Sequence, residues 1–165
     1  MFKLNDYVVY NSTGVYKIVD IRKEKDINDE YVDYYILEPV YGHNLTVKIP
    51  ITNRKVSMRK IMSKDEVLAL ISAMPDIEPV WINDDRKRYE SFKSALKTAE
   101  CLEWVKIVKT MYLKKQERMS DGKKLAKADE DIMKAAEKNM NEEFAAALNI
   151  SPDEVIPYIR KRIPS

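Results

Sequence analysis

Basic side chains are the most informative chemical feature of this 165-residue chain, because they are unevenly distributed. Residues 86–127 carry thirteen basic and five acidic side chains, whereas 63–85 carry one basic and six acidic ones. A local basic excess of this kind is typical of surfaces that bind phosphate backbones, although a solvated helix surface can have the same composition. The candidate phosphate contacts in this stretch are Arg86, Lys87, Arg88, Lys123, Lys124 and Lys127.

A catalytic or metal-binding set of side chains is not recognisable in the sequence. The three glycines are isolated from one another, so they form no phosphate-binding loop. The single histidine, His43, falls in a predicted turn, and the single cysteine, Cys101, falls in a helical pattern. This composition excludes an internal disulfide and a zinc site of thiolate and imidazole ligands. We therefore expect a non-enzymatic protein that needs no cofactor and no metal.

The two tryptophans have different surroundings. Trp104 lies at helical spacing among Leu102, Val105 and Val108, which predicts a buried or half-buried ring. Trp81 instead follows a proline-containing loop, where helical packing does not require a large ring. For Trp81, core packing and an exposed binding role are equally open.

The first 62 residues predict a small antiparallel β domain. Short β-branched and aromatic runs are bounded by Gly, Asn and Pro, as in strands joined by hairpins. The predicted strands are Tyr7–Tyr10, Val15–Ile21, Tyr31–Leu37 and Leu45–Ile49. Four or five such strands form a small barrel or curled sheet, whose edge can accept a partner strand.

Beyond residue 62 the sequence shows only helical signals. Ser63 and Glu66 form a capping box, and Met74-Pro75 ends that helix. Helical spacing resumes near Asp84, and the two acids at 84 and 85 can cap this helix. Its apolar positions at helical spacing, which predict its buried face, are Tyr89, Phe92, Leu96 and Ala99. Further helices are predicted through Leu102–Tyr112, after a cap at Ser120, at Asn141–Phe144 and from Ser151. The predicted fold class is therefore α+β with two domains, a small antiparallel β domain at 1–62 and an all-helical domain at 63–165.

Membrane and export signals are not visible in the sequence. There is no run of about 18 apolar residues and no basic start followed by an apolar stretch. We therefore expect a cytoplasmic protein that does not engage a membrane.

Three segments occur in a characteristic order and spacing. They are Phe2–Tyr10 with Gly14–Ile18, then Leu45–Pro50, and then Lys114–Arg118 with Ser120 and the lysine-rich stretch that follows. Together they resemble the CarD/CdnL family of bacterial transcription regulators, and the resemblance covers nearly the whole chain. It implies a Tudor-like N-terminal domain that binds the β subunit of RNA polymerase. It also implies a helical domain that contacts promoter DNA, at the minor groove and phosphate backbone near the upstream edge of the bubble.

The resemblance also implies roles for particular residues. A basic polymerase contact in the strand at 45–50 matches Lys48, and a second one falls near Lys25. The family's DNA wedge, a tryptophan placed just ahead of an Arg-Arg-Tyr segment, corresponds to Trp81, although four residues separate Trp81 from Arg86. Lys124 matches a basic DNA contact of the family. The implied effect is stabilisation of the open promoter complex by a monomer that is held at the nucleoid through RNA polymerase.

Two other classes of function stay open. The helical domain could bind another protein while its basic stripe only provides solubility, in which case activity would not depend on salt. Alternatively, the small β barrel could bind RNA or the ribosome, in which case the protein would co-purify with ribosomes rather than with polymerase.

Overall fold

The computed structural model describes residues 1–43, 45–53 and 55–163. The chain divides into two compact units, Met1–Ile61 and Met62–Ser165. The first unit holds an antiparallel sheet and the second holds helices. The α+β fold class predicted from the sequence is therefore confirmed.

Unit 1 is a five-stranded antiparallel sheet with the strand order β4-β3-β2-β1-β5. Its strands are β1 (Tyr7–Tyr10), β2 (Gly14–Lys25), β3 (Tyr31–Pro39), β4 (Val47–Pro50) and β5 (Met58–Lys60). The first strand has its predicted bounds. The other three predicted strands are present with shifted ends. Ladder pairing extends β2 to Lys25 and β3 to Pro39, and β4 begins at Val47 rather than at Leu45.

Strand alternation decides which side chains of unit 1 are buried. Val8, Tyr16, Ile18, Leu37 and Ile49 point to one face and form its core with Tyr35. Their neighbours along each strand point to the other face, because successive side chains of a strand alternate. The sheet therefore has one apolar face and a second face on which charged and aromatic side chains stand beside the buried residues Val9, Val15 and Ile36; we call this second face the charged face.

Unit 2 is helical. Its helices are α1 (Lys64–Ala73), α2 (Asp85–Lys97), α3 (Cys101–Ser120), α4 (Lys127–Leu148) and α5 (Val155–Arg162), with short 3-10 turns at Met74–Asp76 and Pro152–Glu154. The predicted capping box is present, since Ser63 Oγ accepts from Glu66 N–H at 3.1 Å while the Glu66 carboxylate accepts from Ser63 N–H at 3.1 Å. The Asp84 carboxylate caps α2 by accepting from Lys87 N–H at 3.0 Å. Among the described residues, no helix is both long and apolar enough to cross a membrane.

The prediction that Ser120 caps the next helix is wrong, because Ser120 is the last residue of α3. Gly122 adopts a left-handed conformation with φ 71°, and its N–H donates to the Met119 carbonyl at 3.0 Å. Lys123 N–H donates to the Arg118 carbonyl at 2.7 Å. These two bonds form a Schellman motif, so the glycine ends α3 after Ser120 has already joined it.

Two further predictions in unit 2 are corrected. Asn141–Phe144 does not open a separate helix, because α4 runs unbroken to Leu148 and ends at Asn149, whose φ is 58°. Burial of Phe144 holds this part of α4 in the core. Tyr89 was predicted on the buried face of α2 with Phe92, yet 43% of Tyr89 is exposed while Phe92 is buried. Trp104 is buried in α3, as its spacing predicts.

Candidate polymerase and nucleic-acid interfaces

Lys48 lies on the charged face of the sheet in unit 1. It pairs with Ile36 of β3, and its side chain is 46% exposed. The ammonium group lies 4.6 Å from the ring centroid of Tyr34 and forms an ion pair with Glu24. Because Glu24 belongs to β2 and Tyr34 to the intervening β3, the lysine side chain extends across the surface of two strands. The structure thus holds the Lys48 cation over an aromatic ring while leaving it accessible.

Lys25 lies at the end of β2 in a different environment. Its ammonium group is 3.3 Å from the Asp29 carboxylate and 5.4 Å from the Tyr31 ring centroid. Since Glu24 and Lys25 are consecutive in a strand, their side chains point to opposite faces of the sheet. The structure therefore does not bring Lys25 onto the face that carries Glu24 and Lys48.

Acidic and basic side chains alternate along β2 on the face of Lys48. Asp20, Arg22 and Glu24 share this face, and Arg22 Nε donates to the Asp20 carboxylate at 2.7 Å. This hydrogen bond lowers the pKa of Asp20 and raises that of Arg22. The face is thus a set of paired charges, so a partner needs both an acidic and a basic group to complement it.

Trp81 is half-buried in the loop ahead of α2. The guanidinium carbon of Arg88 lies 4.1 Å from the Trp81 ring centroid, and the ammonium nitrogen of Lys114 lies 4.8 Å from it. Contacts of this geometry are cation–π interactions, which fix the orientation of an indole ring. Trp81 is therefore neither a core residue nor a freely rotating surface residue.

Arg88 has a different environment from the other basic residues of its segment. It is only 4% exposed, and its guanidinium donates twice to the Asp129 carboxylate, both times at 2.9 Å. It also donates to the Asp85 carboxylate and to the Ile82 carbonyl, each at 2.8 Å. The bond with Asp129 raises the pKa of Arg88. Arg88 is thus not presented to a phosphate backbone, and it ties the Trp81 loop to α4 instead.

The same loop is fastened from α3 by two further side chains. The Lys109 ammonium group donates to the carbonyls of Met74, Pro75 and Ile77. One residue further along α3, Thr110 Oγ1 accepts from Val80 N–H at 3.1 Å. Helical spacing alone cannot reveal these roles, because a lysine that turns inward to cap carbonyls has the same periodicity as a solvated one.

The remaining predicted phosphate contacts are exposed. Arg86 pairs with Glu90 at 3.2 Å and Lys127 pairs with Asp131 at 3.4 Å, and both cations are almost fully accessible. In the part of the chain that the structure describes, Lys87, Lys123 and Lys124 have no ion pair. The basic excess of the sequence therefore leaves five of its six named cations accessible to an anionic partner.

A comparison with protein families identifies unit 1. Residues 2–62 match the family model of the CarD-like/TRCF RID domain. The N-terminal domain is a CarD-like/TRCF RID domain. The RID domain is the RNA polymerase-interacting domain of CarD-like proteins, so the match makes this an RNA polymerase-interacting, transcription-related protein. This match confirms the resemblance predicted from the sequence for residues 2–62.

The RID domain contains both predicted polymerase contacts, Lys25 and Lys48. The match ends at Met62, so it does not extend to Trp81 or to the basic residues of unit 2. No curated protein matches the chain. The roles of the helical residues therefore depend on their geometry and on the resemblance of the sequence.

Proposed function

We propose that this protein binds the β subunit of RNA polymerase through its RID domain and stabilises the open promoter complex. The observation that carries the proposal is the match of residues 2–62 to the RID family. In this proposal the helical unit contacts promoter DNA at the upstream edge of the bubble, through the minor groove and the phosphate backbone. The protein acts as a monomer without catalysis, in the cytoplasm and at the nucleoid.

Lys48 is the side chain that we assign to the polymerase contact. Its accessible ammonium group can exchange Glu24 for a carboxylate of the partner without leaving the Tyr34 ring. An exposed pair of this kind contributes at most about 1 kcal/mol, so exchanging one partner for another costs little. Lys25 is a second contact in this proposal only if the polymerase also reaches the end of the β2–β3 hairpin.

Binding of the full chain to the isolated β-subunit lobe tests the polymerase contact. We expect weak, transient binding with a Kd of roughly micromolar. The substitution Lys48→Glu should abolish this binding. Lys60→Glu is the matched control, because Lys60 is also exposed and ion-paired but lies on β5, at the far edge of the sheet. Lys25→Glu tests the hairpin contact separately. If wild type binds ribosomes and not the lobe, the alternative function as a ribosome-associated protein replaces this one.

Trp81 is the group that we assign to the edge of the melted DNA. An aromatic wedge between stacked base pairs costs a few kcal/mol of unstacking, and that cost largely disappears where the duplex is already open. A wedge therefore binds the open complex more tightly than the closed one and shifts the equilibrium by this difference in affinity. The contacts of Trp81 with Arg88 and Lys114 support the assignment, because a pre-oriented ring loses less entropy on insertion.

The lifetime of the open complex on a supercoiled promoter tests the wedge. Trp81→Ala should shorten the lifetime toward the value measured without the protein. Tyr112→Ala is the matched control, because Tyr112 is another partly exposed aromatic residue of unit 2, and it should keep the wild-type lifetime. Equal lifetimes for wild type and Trp81→Ala would remove Trp81 from the mechanism.

Tethering explains how a protein with a net charge of only +2 can act at promoters. A modest basic surface gives non-specific DNA binding of roughly micromolar Kd or weaker at cellular salt. Attachment to polymerase makes the DNA contact intramolecular, with an effective concentration in the millimolar range for a short linker. Weak contacts by the exposed cations Arg86, Lys87, Lys123, Lys124 and Lys127 are then sufficient.

A further inference from the structure

The outward face of α2 carries a row of basic side chains. At 3.6 residues per turn, Arg86, Lys93 and Lys97 lie within about 40° of one another around the helix axis. The buried residues Arg88 and Phe92 lie at least about 100° away from each residue of that row, toward the core. Tyr89 borders the row, and the Lys93 ammonium group lies 5.7 Å from its ring centroid. We call Arg86, Tyr89, Lys93 and Lys97 the α2 ridge.

The α2 ridge differs from the exposed surface of α4, where every lysine has an acidic partner. These partners lie four residues away and form the pairs Lys127–Asp131, Lys134–Glu130 and Lys138–Glu142. On the ridge only Arg86 has such a partner, Glu90, while Lys93 and Lys97 form no ion pair among the described residues. The α4 surface is thus electrically balanced, as a solvated helix face commonly is, and the ridge is not.

We infer that the α2 ridge binds the sugar-phosphate backbone of duplex DNA, so that Tyr89, Lys93 and Lys97 extend the contact already proposed for Arg86. The eleven-residue separation of Arg86 and Lys97 corresponds to about 16 Å along the helix. A DNA strand presents a phosphate about every 3.4 Å of duplex axis, so a ridge of this length lies beside several phosphates of one strand. Tyrosine hydroxyls, arginine and lysine are the groups that bind phosphate and sugar oxygens without reading sequence. This inference rests on the proposed function, because it takes promoter duplex as the ligand of unit 2.

Salt-dependent binding to a labelled 30-base-pair duplex tests the inference with the full chain. The probe is DNA of arbitrary sequence, and fluorescence anisotropy is measured between 50 and 200 mM salt. Each lost phosphate contact reduces the slope of log K against log salt by about 0.9, so Lys93→Gln with Lys97→Gln should reduce it by about 1.8. The matched control is Lys134→Gln with Lys138→Gln, which removes the same charge from the balanced surface of α4 and should leave the slope at its wild-type value.

The outcomes separate this inference from the proposed function. Equal slopes for the ridge variant and the α4 variant overturn the inference, as does the absence of duplex binding by wild type at 50 mM salt. If the ridge variant keeps the wild-type slope while Trp81→Ala shortens the open-complex lifetime, the ridge is rejected and the proposed function stands. If the slope of log K against log salt is smaller for the ridge variant than for wild type while Trp81→Ala leaves the open-complex lifetime unchanged, the ridge is a DNA contact and Trp81 is not the wedge.

Discussion

Breaking the buried pair of Arg88 and Asp129 from one side should destabilise the helical unit more than breaking an exposed ion pair. Both residues are at most 4% exposed, and two hydrogen bonds of 2.9 Å join their side chains. Asp129→Asn keeps the shape of the side chain but leaves the guanidinium buried without its main counter-charge. Breaking a buried pair from one side costs about 3–5 kcal/mol. We expect a value near the lower limit, because Asp85 and the Ile82 carbonyl still bind Arg88.

Urea unfolding followed by tryptophan fluorescence measures this cost. Both tryptophans, Trp81 and Trp104, lie in unit 2, so the signal reports the helical unit. With a slope of about 2 kcal/mol per molar urea, a loss of about 3 kcal/mol lowers the midpoint by about 1.5 M. The matched control is Asp131→Asn, which breaks the exposed pair with Lys127 on the same helix and should cost less than about 1 kcal/mol. Equal midpoint shifts for the two variants would refute the argument that burial makes this pair important.

Three further predictions concern local features of the helical unit. Ser63→Ala removes half of the α1 capping box and should destabilise the unit by about 1 kcal/mol, measured by the same urea titration. Glu90→Gln removes the acid that is ion-paired with Arg86 of the α2 ridge, so duplex affinity at 50 mM salt should rise, and a lower affinity would contradict the role of the ridge. Lys109→Met removes the hydrogen bonds from Lys109 to the carbonyls ahead of the Trp81 loop, so the loop should become more mobile. In a Trp104→Phe background, acrylamide should therefore quench Trp81 more strongly with this substitution than without it. Unchanged quenching would show that the loop does not depend on Lys109.

Local signals predicted much of the fold because they act over a few residues. The capping box at Ser63 and the cap at Asp84 each depend on a residue three positions further along the chain. The error at Ser120 has the same local origin, since serine is a good helix cap but Gly122 also offers a left-handed turn two residues later. Where two local signals compete, hydrogen bonds at the preceding helix end decide between them.

The site was less predictable because its contacts are distant in sequence. Arg88 and Asp129 are 41 residues apart, and Lys109 caps carbonyls that lie more than 30 residues before it. Nothing in the spacing of the basic residues distinguishes these inward-facing cations from solvated ones. Trp104 was predictable because the spacing of its apolar neighbours within α3 indicates which face of that helix is buried, whereas the environment of Trp81 depends on α2 and α3 together.

The fold explains how Trp81 can lie beside the basic segment although four residues separate it from Arg86. The loop places the indole 4.1 Å from the guanidinium of Arg88. Asp84 starts α2 after this loop, and Arg88 reaches back from the next turn to bind the Ile82 carbonyl. Of the residues between Trp81 and Arg86, Asp84 thus caps α2 and the Ile82 carbonyl binds Arg88. The first turns of α2 therefore position the Trp81 ring, although Trp81 lies several residues before the helix. A tryptophan wedge requires a fixed ring near exposed cations, and this arrangement supplies both because Arg88 is buried beneath the ring while Arg86 and Lys87 remain accessible.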